Sequence, residues 1–133
     1  MAEARRNNSK KRRAVYEELR ARKDHPTAEM LYASLKPRYP DLSLGTVYRS
    51  LATFREDGTA VSVGTVFGNE RYDACVAPHP HFICRSCGSV TDLLLPDLYD
   101  EGHLAEHMAG YRVESYALSF SGLCPGCSNK SSN

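Results

Sequence analysis

Two pairs of cysteines constrain the fold of this chain more than any other feature. Cys84 and Cys87 form one C-x-x-C motif, and Cys124 and Cys127 form a second motif further along the chain. Four thiolates from two such motifs can meet tetrahedrally around Zn²⁺ at about 2.3 Å. Because four cysteines leave no open coordination position, the spacing predicts a closed, structural zinc site.

Disulfides and a redox-active pair are the alternatives to zinc. Structural disulfides are typical of secreted proteins, and the basic first segment, MAEARRNNSKKRR, is not followed by the apolar core of a signal peptide. A single redox-active C-x-x-C would leave the second pair unexplained. No apolar run approaches the roughly 18 residues that span a membrane. We therefore expect a cytoplasmic protein with no membrane partner.

Charge is distributed unevenly along the 133 residues. Residues 1–58 contain 13 Lys or Arg against 8 Asp or Glu, whereas the remaining residues contain 4 against 8. A basic half joined to an acidic half suggests that one end binds a polyanion. Solvated surface charge is the alternative interpretation.

Three amphipathic helices are predicted in the basic half. Ser9, Thr27 and Ser43 are the expected N-caps, and Pro37 and Gly58 are expected to end the second and third helices. Helical periodicity places these residues toward a core: Val15, Tyr16, Leu19, Leu31, Leu35, Val47, Leu51 and Phe54.

Two short runs rich in β-branched residues follow the helices, in AVSVGTVFGNERYD, and are joined by an expected Gly-Asn turn. Three helices and a hairpin are the outline of a winged helix-turn-helix, whose third helix enters the DNA major groove. Many non-binding domains also contain three amphipathic helices. The residues expected on the outer face of the third helix are Thr46, Tyr48, Arg49 and Ser50. Those expected to neutralise phosphates at the start of the first helix are Lys10, Lys11, Arg12 and Arg13.

A second group of metal ligands is suggested by HPHFICRSCG. Alternation along an extended strand turns His79 and His81 to the same face, and Pro78 and Pro80 favour extended backbone. Other candidate ligands are His25, Asp73 and Asp92. A mixed set of nitrogen and carboxylate ligands suits Fe²⁺, Mn²⁺ or Zn²⁺ rather than Mg²⁺ or Cu⁺.

Several blocks together resemble the ferric uptake regulator family, most closely its peroxide-responsive repressor branch. They are HPTAEMLYASLKPRYPDLSLGTVYRSLATFREDG, RYD, HPHFICRSCG, VTDL and GLCPGC. The resemblance implies an α+β protein with a winged helix-turn-helix DNA-binding domain at 1–72 and a hinge at 73–79. It also implies an α/β dimerisation and metal-binding domain with a four-cysteine zinc site at 80–133. Its partners would be operator DNA and a second copy of the chain.

The resemblance also implies a regulatory site for Fe²⁺ or Mn²⁺ beside the structural zinc. Its ligands would be His25 from the DNA-binding domain, Asp73 and His79 from the hinge, and His81 and Asp92 from the dimerisation domain. Peroxide reacting at the iron would oxidise His25 or His79 to 2-oxo-histidine and release the DNA, whereas Mn²⁺ would not support this chemistry. An aspartate at position 92 marks peroxide sensors, whereas iron sensors tend to carry glutamate.

Several positions complicate the pattern. Pro78 and Pro80 occupy places that hold ligands of an additional metal site in some relatives, so no third site is expected. Cys75 could replace Asp73 as a ligand or add to it, or could be a buried small hydrophobe. His103 and His107 could bind metal or could face solvent from a helix.

Three functions remain open at this point. The first is a metal-dependent repressor that senses peroxide, with no other small-molecule substrate. The second is an iron- or zinc-uptake regulator on the same scaffold. The third is a non-haem iron enzyme, because two histidines and a carboxylate also form the metal triad of oxygenases. The basic helical half and the five-ligand set favour a regulator over an enzyme.

Overall fold

The computed structural model describes residues 2–76, 79–93, 106–112 and 118–131 of the chain. The chain divides into two compact units, Met1–Val76 and Ala77–Asn133. Helices and a hairpin form the first unit, and the described part of the second contains a small sheet and a short helix, which confirms the expected α+β class. Within the described ranges, no helix is both long enough and apolar enough to cross a bilayer. The boundaries predicted at 72 and 79 stay predictions.

The first unit begins with a helix that is longer than predicted. Helix α1 covers Ala2–Ala21, so Ser9 lies inside it and is not its N-cap. The prediction was wrong because the sequence before Ser9 is rich in alanine, glutamate and arginine, which have high helix propensity and continue the helix. The basic residues 10–13 therefore lie within the helix rather than at its start.

Helices α2 (Ala28–Leu35) and α3 (Leu44–Asp57) have the caps that the sequence predicts. Thr27 Oγ1 accepts a hydrogen bond from the Met30 backbone N–H at 3.1 Å. Ser43 Oγ accepts one from the Thr46 N–H at 3.1 Å. Gly58 ends α3 in the left-handed conformation, with φ of 77°.

The three helices enclose one hydrophobic core. All eight residues predicted to face inward are buried or partly buried, and the rings of Tyr16 and Phe54 pack edge to face at 5.3 Å. The core also buries Leu42 before α3 and Tyr72 from the hairpin. This packing fixes which face of α3 is available to solvent.

The hairpin consists of antiparallel strands β1 (Val61–Val66) and β2 (Asn69–Asp73). Phe67 and Gly68 form its turn, with φ of 54° and 81°, rather than the expected Gly68 and Asn69. Two left-handed residues in succession match the twist of a two-residue hairpin.

The second unit contains a three-stranded sheet among its described residues. The strands are β3 (His81–Cys84), β4 (Val90–Asp92) and β5 (Ser119–Gly122), in the order β4-β3-β5. Strand β3 pairs antiparallel with β4 and parallel with β5. Helix α4 (Pro125–Ser131) follows β5. The β3–β5 register pairs Cys84 with Gly122, which brings the first cysteine of each C-x-x-C motif to the same end of the sheet.

Candidate metal centres and nucleic-acid interface

The four cysteines of the two C-x-x-C motifs converge in the second unit. Cys84 ends β3, Cys87 lies in the turn that follows, Cys124 precedes α4 and Cys127 lies within it. Their sulfur atoms all lie within 4.8 Å of one another. The Sγ atoms of Cys87 and Cys124 are 3.8 Å apart, and the edge of a ZnS₄ tetrahedron with bonds of about 2.3 Å is also about 3.8 Å. The donor set therefore fits a structural zinc ion.

Electrostatics within this cluster favour a cation. The backbone N–H groups of Cys87 and Cys124 each donate to Cys84 Sγ at 3.4 Å, and these bonds lower the pKa of Cys84 to about 6. At Cys127 the Ser86 hydroxyl lowers the pKa, but the neighbouring thiols outweigh it and raise the pKa to about 11. Four thiolates in this space therefore require a divalent ion to offset their mutual repulsion.

A tight turn follows Cys84, and a helix begins after Cys124. Gly88 is left-handed, with φ of 75°, and its N–H donates to the Cys84 carbonyl at 2.9 Å. Gly126 lies in the first turn of α4, directly after Pro125. Proline favours the first helical position, so Pro125 suits the start of this helix.

Three further candidate ligands lie together where β3 begins and β4 ends, at the other end of β3 from Cys84. Asp92 Oδ1 lies 3.1 Å from His79 Nε2 and 3.2 Å from His81 Nε2. The two imidazole rings are 4.4 Å apart, as expected for side chains two residues apart on an extended segment. Asp92 is opposite His81 in the β3–β4 register, and the Leu93 N–H donates to the Pro80 carbonyl at 2.9 Å. Backbone pairing thus places all three side chains.

These distances suit a transition metal. Adjacent ligands of an octahedral ion with bonds of about 2.1 Å lie about 3.0 Å apart. The two nitrogen–oxygen distances of 3.1 and 3.2 Å are close to that value. Two imidazoles and one carboxylate also form the donor set that divalent iron, manganese and zinc accept. These three side chains therefore fit the Fe²⁺, Mn²⁺ or Zn²⁺ ion that the sequence predicts.

The other two predicted ligands lie together in the first unit. His25 Nδ1 is 3.4 Å from Asp73 Oδ2, and the two residues are only 2% and 8% exposed. His25 precedes α2 in the left-handed conformation, with φ of 52°. The Asp73 carboxylate accepts the Cys75 backbone N–H at 2.8 Å, while the Cys75 side chain is exposed. The geometry of this pair supports a ligand role for Asp73 without help from Cys75.

Arg71 holds the His25 segment and was missed in the sequence. Its guanidinium donates from Nε to the His25 carbonyl and from Nη2 to the Asp24 carbonyl, the latter at 2.7 Å. The neighbouring Tyr72 N–H donates to the Pro26 carbonyl at 3.1 Å. Strand β2 therefore anchors three consecutive carbonyls around His25. Its place two residues before Asp73, on the same face of a strand, was the available signal.

The predicted DNA-reading face of α3 is only partly exposed. Tyr48 is 45% exposed and Arg49 is exposed. The Tyr48 hydroxyl donates to Glu29 Oε1 at 2.6 Å, and Arg49 Nη2 donates to Thr46 Oγ1 at 3.0 Å. Thr46, Tyr48 and Arg49 remain candidates for DNA contact.

Ser50 was placed on the outer face, and this was wrong. Its side chain is 3% exposed and donates to the Thr46 carbonyl at 2.8 Å. Ser50 follows Val47 by three positions, so it shares the inward face of the helix. It cannot contact a base edge in this conformation.

The basic residues of α1 differ in how available they are. Lys10, Arg12 and Arg13 are exposed. Lys11 is only 16% exposed, and its Nζ pairs with Asp41 Oδ2 at 3.0 Å. Its predicted role at a phosphate stays a prediction, and Lys11 would have to leave or share this ion pair to fulfil it.

Two residues singled out in the sequence, Pro78 and His103, lie outside the described residues. His107 is described and its side chain is exposed. The expectation that the chain has no third metal site therefore stays a prediction.

The comparisons with known proteins agree on one family. The sequence model of the ferric uptake regulator family matches residues 3–121. The peroxide operon regulator of Bacillus subtilis is 35% identical over 119 residues, which cover 90% of this chain and 82% of that protein. The peroxide-responsive repressor PerR of Staphylococcus saprophyticus is 32% identical over the same length, covering 90% and 80%.

A solved structure supports the same assignment. The peroxide stress regulator of Campylobacter jejuni superposes with a TM-score of 0.79 at 30% identity, covering 95% of each chain. Members of this family are metal-responsive transcription regulators, so the prediction of a non-enzyme is confirmed and the iron-oxygenase hypothesis is wrong. The chain therefore belongs to the ferric uptake regulator family.

Proposed function

We propose that this protein is a metal-dependent transcriptional repressor that senses peroxide and releases operator DNA when a histidine ligand is oxidised. The observation that carries the proposal is the position of Asp92 Oδ1 within 3.2 Å of two imidazole nitrogens. The relatives named above are peroxide regulators, and at 35% and 32% identity they favour the same stimulus here.

The two candidate centres would have different tasks. Zn²⁺ held by the four cysteines would be structural, because its coordination shell is closed. Fe²⁺ or Mn²⁺ would be regulatory, held by His25 and Asp73 from the first unit and by His79, His81 and Asp92 from the second. An ion that needs ligands from both units favours the arrangement in which all five converge. Shifting a population from 1:99 to 99:1 requires about 5.5 kcal/mol, which several metal–ligand bonds can supply.

The first unit would contact DNA as a winged helix-turn-helix. Helix α3 would enter the major groove through Tyr48 and Arg49, and the exposed cations of α1 would approach phosphates. In a homodimer, the two copies of α3 would lie about 34 Å apart, one turn of duplex DNA. Without the regulatory ion, the two copies of α3 would no longer be held at that separation, and the affinity for the operator would fall.

Peroxide sensing follows from what the ligands would do around an iron. Bound Fe²⁺ would activate peroxide so that one of its oxygen atoms is transferred to a ligand ring and the other leaves as water, chemistry that Mn²⁺ would not support. The burial of His25 keeps competing reductants in bulk water away from its ring. His79 is the alternative target. Adding an oxygen atom to either ring makes it a poorer donor, so the remaining ligands would hold the ion less tightly.

The test compares protein loaded with Fe²⁺ and protein loaded with Mn²⁺ under anaerobic conditions. Binding to a duplex selected from a random pool is measured before and after a low dose of peroxide. We expect loss of binding only in the iron form, with one added oxygen atom in the peptide that contains His25 or His79. Equal persistence of binding in both forms would contradict peroxide sensing and favour an iron- or zinc-uptake regulator.

A further inference from the structure

A short hydrogen bond links two exposed side chains on the first unit. The hydroxyl of Tyr48 on α3 donates to Glu29 Oε1 in the first turn of α2, at 2.6 Å. Both side chains are exposed. The bond lowers the pKa of Glu29 and raises the pKa of Tyr48, so a carboxylate accepts from a neutral phenol at neutral pH. Bonds of this charge-assisted type are among the strong ones.

A carboxylate at this place is unfavourable for binding DNA in general. It adds negative charge next to the residues of α3 that we propose to enter the groove, and it repels phosphates. Glu29 also occupies the hydroxyl of Tyr48, which could otherwise donate to a phosphate oxygen. Phosphate contacts carry no sequence information, because every nucleotide offers them. By occupying the Tyr48 hydroxyl, Glu29 therefore removes a phosphate contact that would be available on DNA of any sequence.

What remains of Tyr48 for DNA is its apolar ring. The side chain is 45% exposed, and the bond to Glu29 fixes its orientation. Thymine is distinguished in the major groove by its methyl group, which apolar side chains contact. A ring held in one orientation can make that contact without first being ordered.

We propose that Glu29 is a positioning residue that holds the Tyr48 ring against a thymine methyl, increasing sequence discrimination at the expense of overall affinity. This inference depends on the proposed DNA-binding function. Glu29 touches no base itself and acts through the orientation of Tyr48.

The experiment removes the methyl groups from the DNA rather than the protein. The Mn²⁺-loaded full chain selects a duplex from a random pool, and each thymine of that duplex is then replaced in turn by uracil. For wild type we expect about a fourfold loss of affinity at each contacted thymine, which corresponds to losing the burial of one methyl group. Glu29→Ala and Tyr48→Phe should reduce that loss toward onefold, because the ring is no longer tethered.

Two further variants separate positioning from charge. Glu29→Gln keeps an oxygen acceptor for the Tyr48 hydroxyl, so we expect it to retain the wild-type uracil effect. Glu56→Ala removes an exposed carboxylate elsewhere on α3 and should leave the uracil effect unchanged. Circular dichroism and Mn²⁺ affinity check that each variant is folded, and a purely structural role for Glu29 would not change the uracil effect.

Each outcome decides between distinct statements. A wild-type uracil effect in Glu29→Ala or Tyr48→Phe overturns the positioning role, as does a loss of the effect in Glu29→Gln. No uracil effect in wild type overturns the thymine contact. Failure of the wild-type protein to select any duplex contradicts the proposed DNA-binding function itself, which is a different result from the others.

Discussion

The two candidate metal centres differ in how the chain supplies their ligands. All four cysteines belong to the second unit, and backbone hydrogen bonds within that unit position them. The proposed regulatory ligands are divided, with His25 and Asp73 in the first unit and the others in the second. A site inside one unit stabilises that unit, whereas a site with ligands in two units can respond to a stimulus by altering how they associate. The difference lies in the placement of ligands along the chain, not only in their chemistry.

Replacing Cys124 with serine should have the largest effect. Structural zinc contributes about 10–16 kcal/mol of apparent binding free energy in small zinc peptides. We expect the variant to lose its tightly bound zinc and the cooperative unfolding of the second unit, while the helical first unit keeps its core. Zinc analysis together with amide hydrogen exchange of each unit tests this. Unchanged exchange in the second unit would show that the sheet does not depend on the ion.

Replacing Asp92 with alanine should strongly weaken metal binding at the proposed regulatory site and leave the four-cysteine zinc site unchanged. Asp92 Oδ1 lies 3.1 Å from His79 Nε2 and 3.2 Å from His81 Nε2. Since even outer partners of a metal site contribute 10–100-fold in affinity, we expect at least about a 100-fold weaker Mn²⁺ affinity and a normal zinc content. Manganese titration measures the change, with the exposed Asp57→Asn as a control. Equal affinities in the two variants would remove Asp92 from the site.

Replacing Arg71 with alanine should weaken metal binding at the proposed regulatory site less than replacing Asp92 does. The variant loses the two hydrogen bonds that hold the Asp24 and His25 carbonyls. We expect about a 10-fold loss of Mn²⁺ affinity, and a decrease of about 1–3 kcal/mol in the free energy of unfolding of the first unit. Arg55→Ala is the matched control, because Arg55 makes a more exposed ion pair with Glu70 at 2.8 Å. The same Mn²⁺ affinity in both variants would contradict the anchoring role.

Replacing Cys75 with serine should have the smallest effect. Its thiol is exposed, and serine retains the backbone N–H that donates to Asp73. We expect Mn²⁺ affinity to change less than about twofold, as for a typical surface substitution. Isothermal titration of wild type and variant tests this. A loss of tenfold or more would place a fifth cysteine among the metal ligands and make the two centres chemically less distinct.

The sequence predicts best where a residue acts through a local rule. Helix caps at Thr27 and Ser43 and the inward stripe of α3 are set by neighbours within one turn, and the structure has them as expected. The convergence of the cysteines is also predictable, because two C-x-x-C motifs have few other uses.

Errors arose where two local rules compete or where a distant partner decides. Ser9 could cap a helix, but the helix formers before it extend α1. Ser50 is polar, but its position three residues after Val47 puts it on the inward face, where its hydroxyl donates to the Thr46 carbonyl. Lys11 pairs with Asp41, thirty positions away, and no pattern in the sequence indicates that ion pair, although its predicted phosphate contact stays a prediction. Arg71 was missed for the same reason, because its acceptors lie across the unit.

The backbone hydrogen bonds around His25 affect what would happen to the protein after its imidazole ring is modified. Strand β2 donates hydrogen bonds to the backbone carbonyl oxygens of this segment. These bonds do not involve the imidazole ring and so do not depend on its chemical state. A protein whose ring had been oxidised would therefore keep a native first unit instead of unravelling. Under the proposed mechanism, such copies would stay folded without binding the operator, and newly synthesised protein would be needed to restore repression.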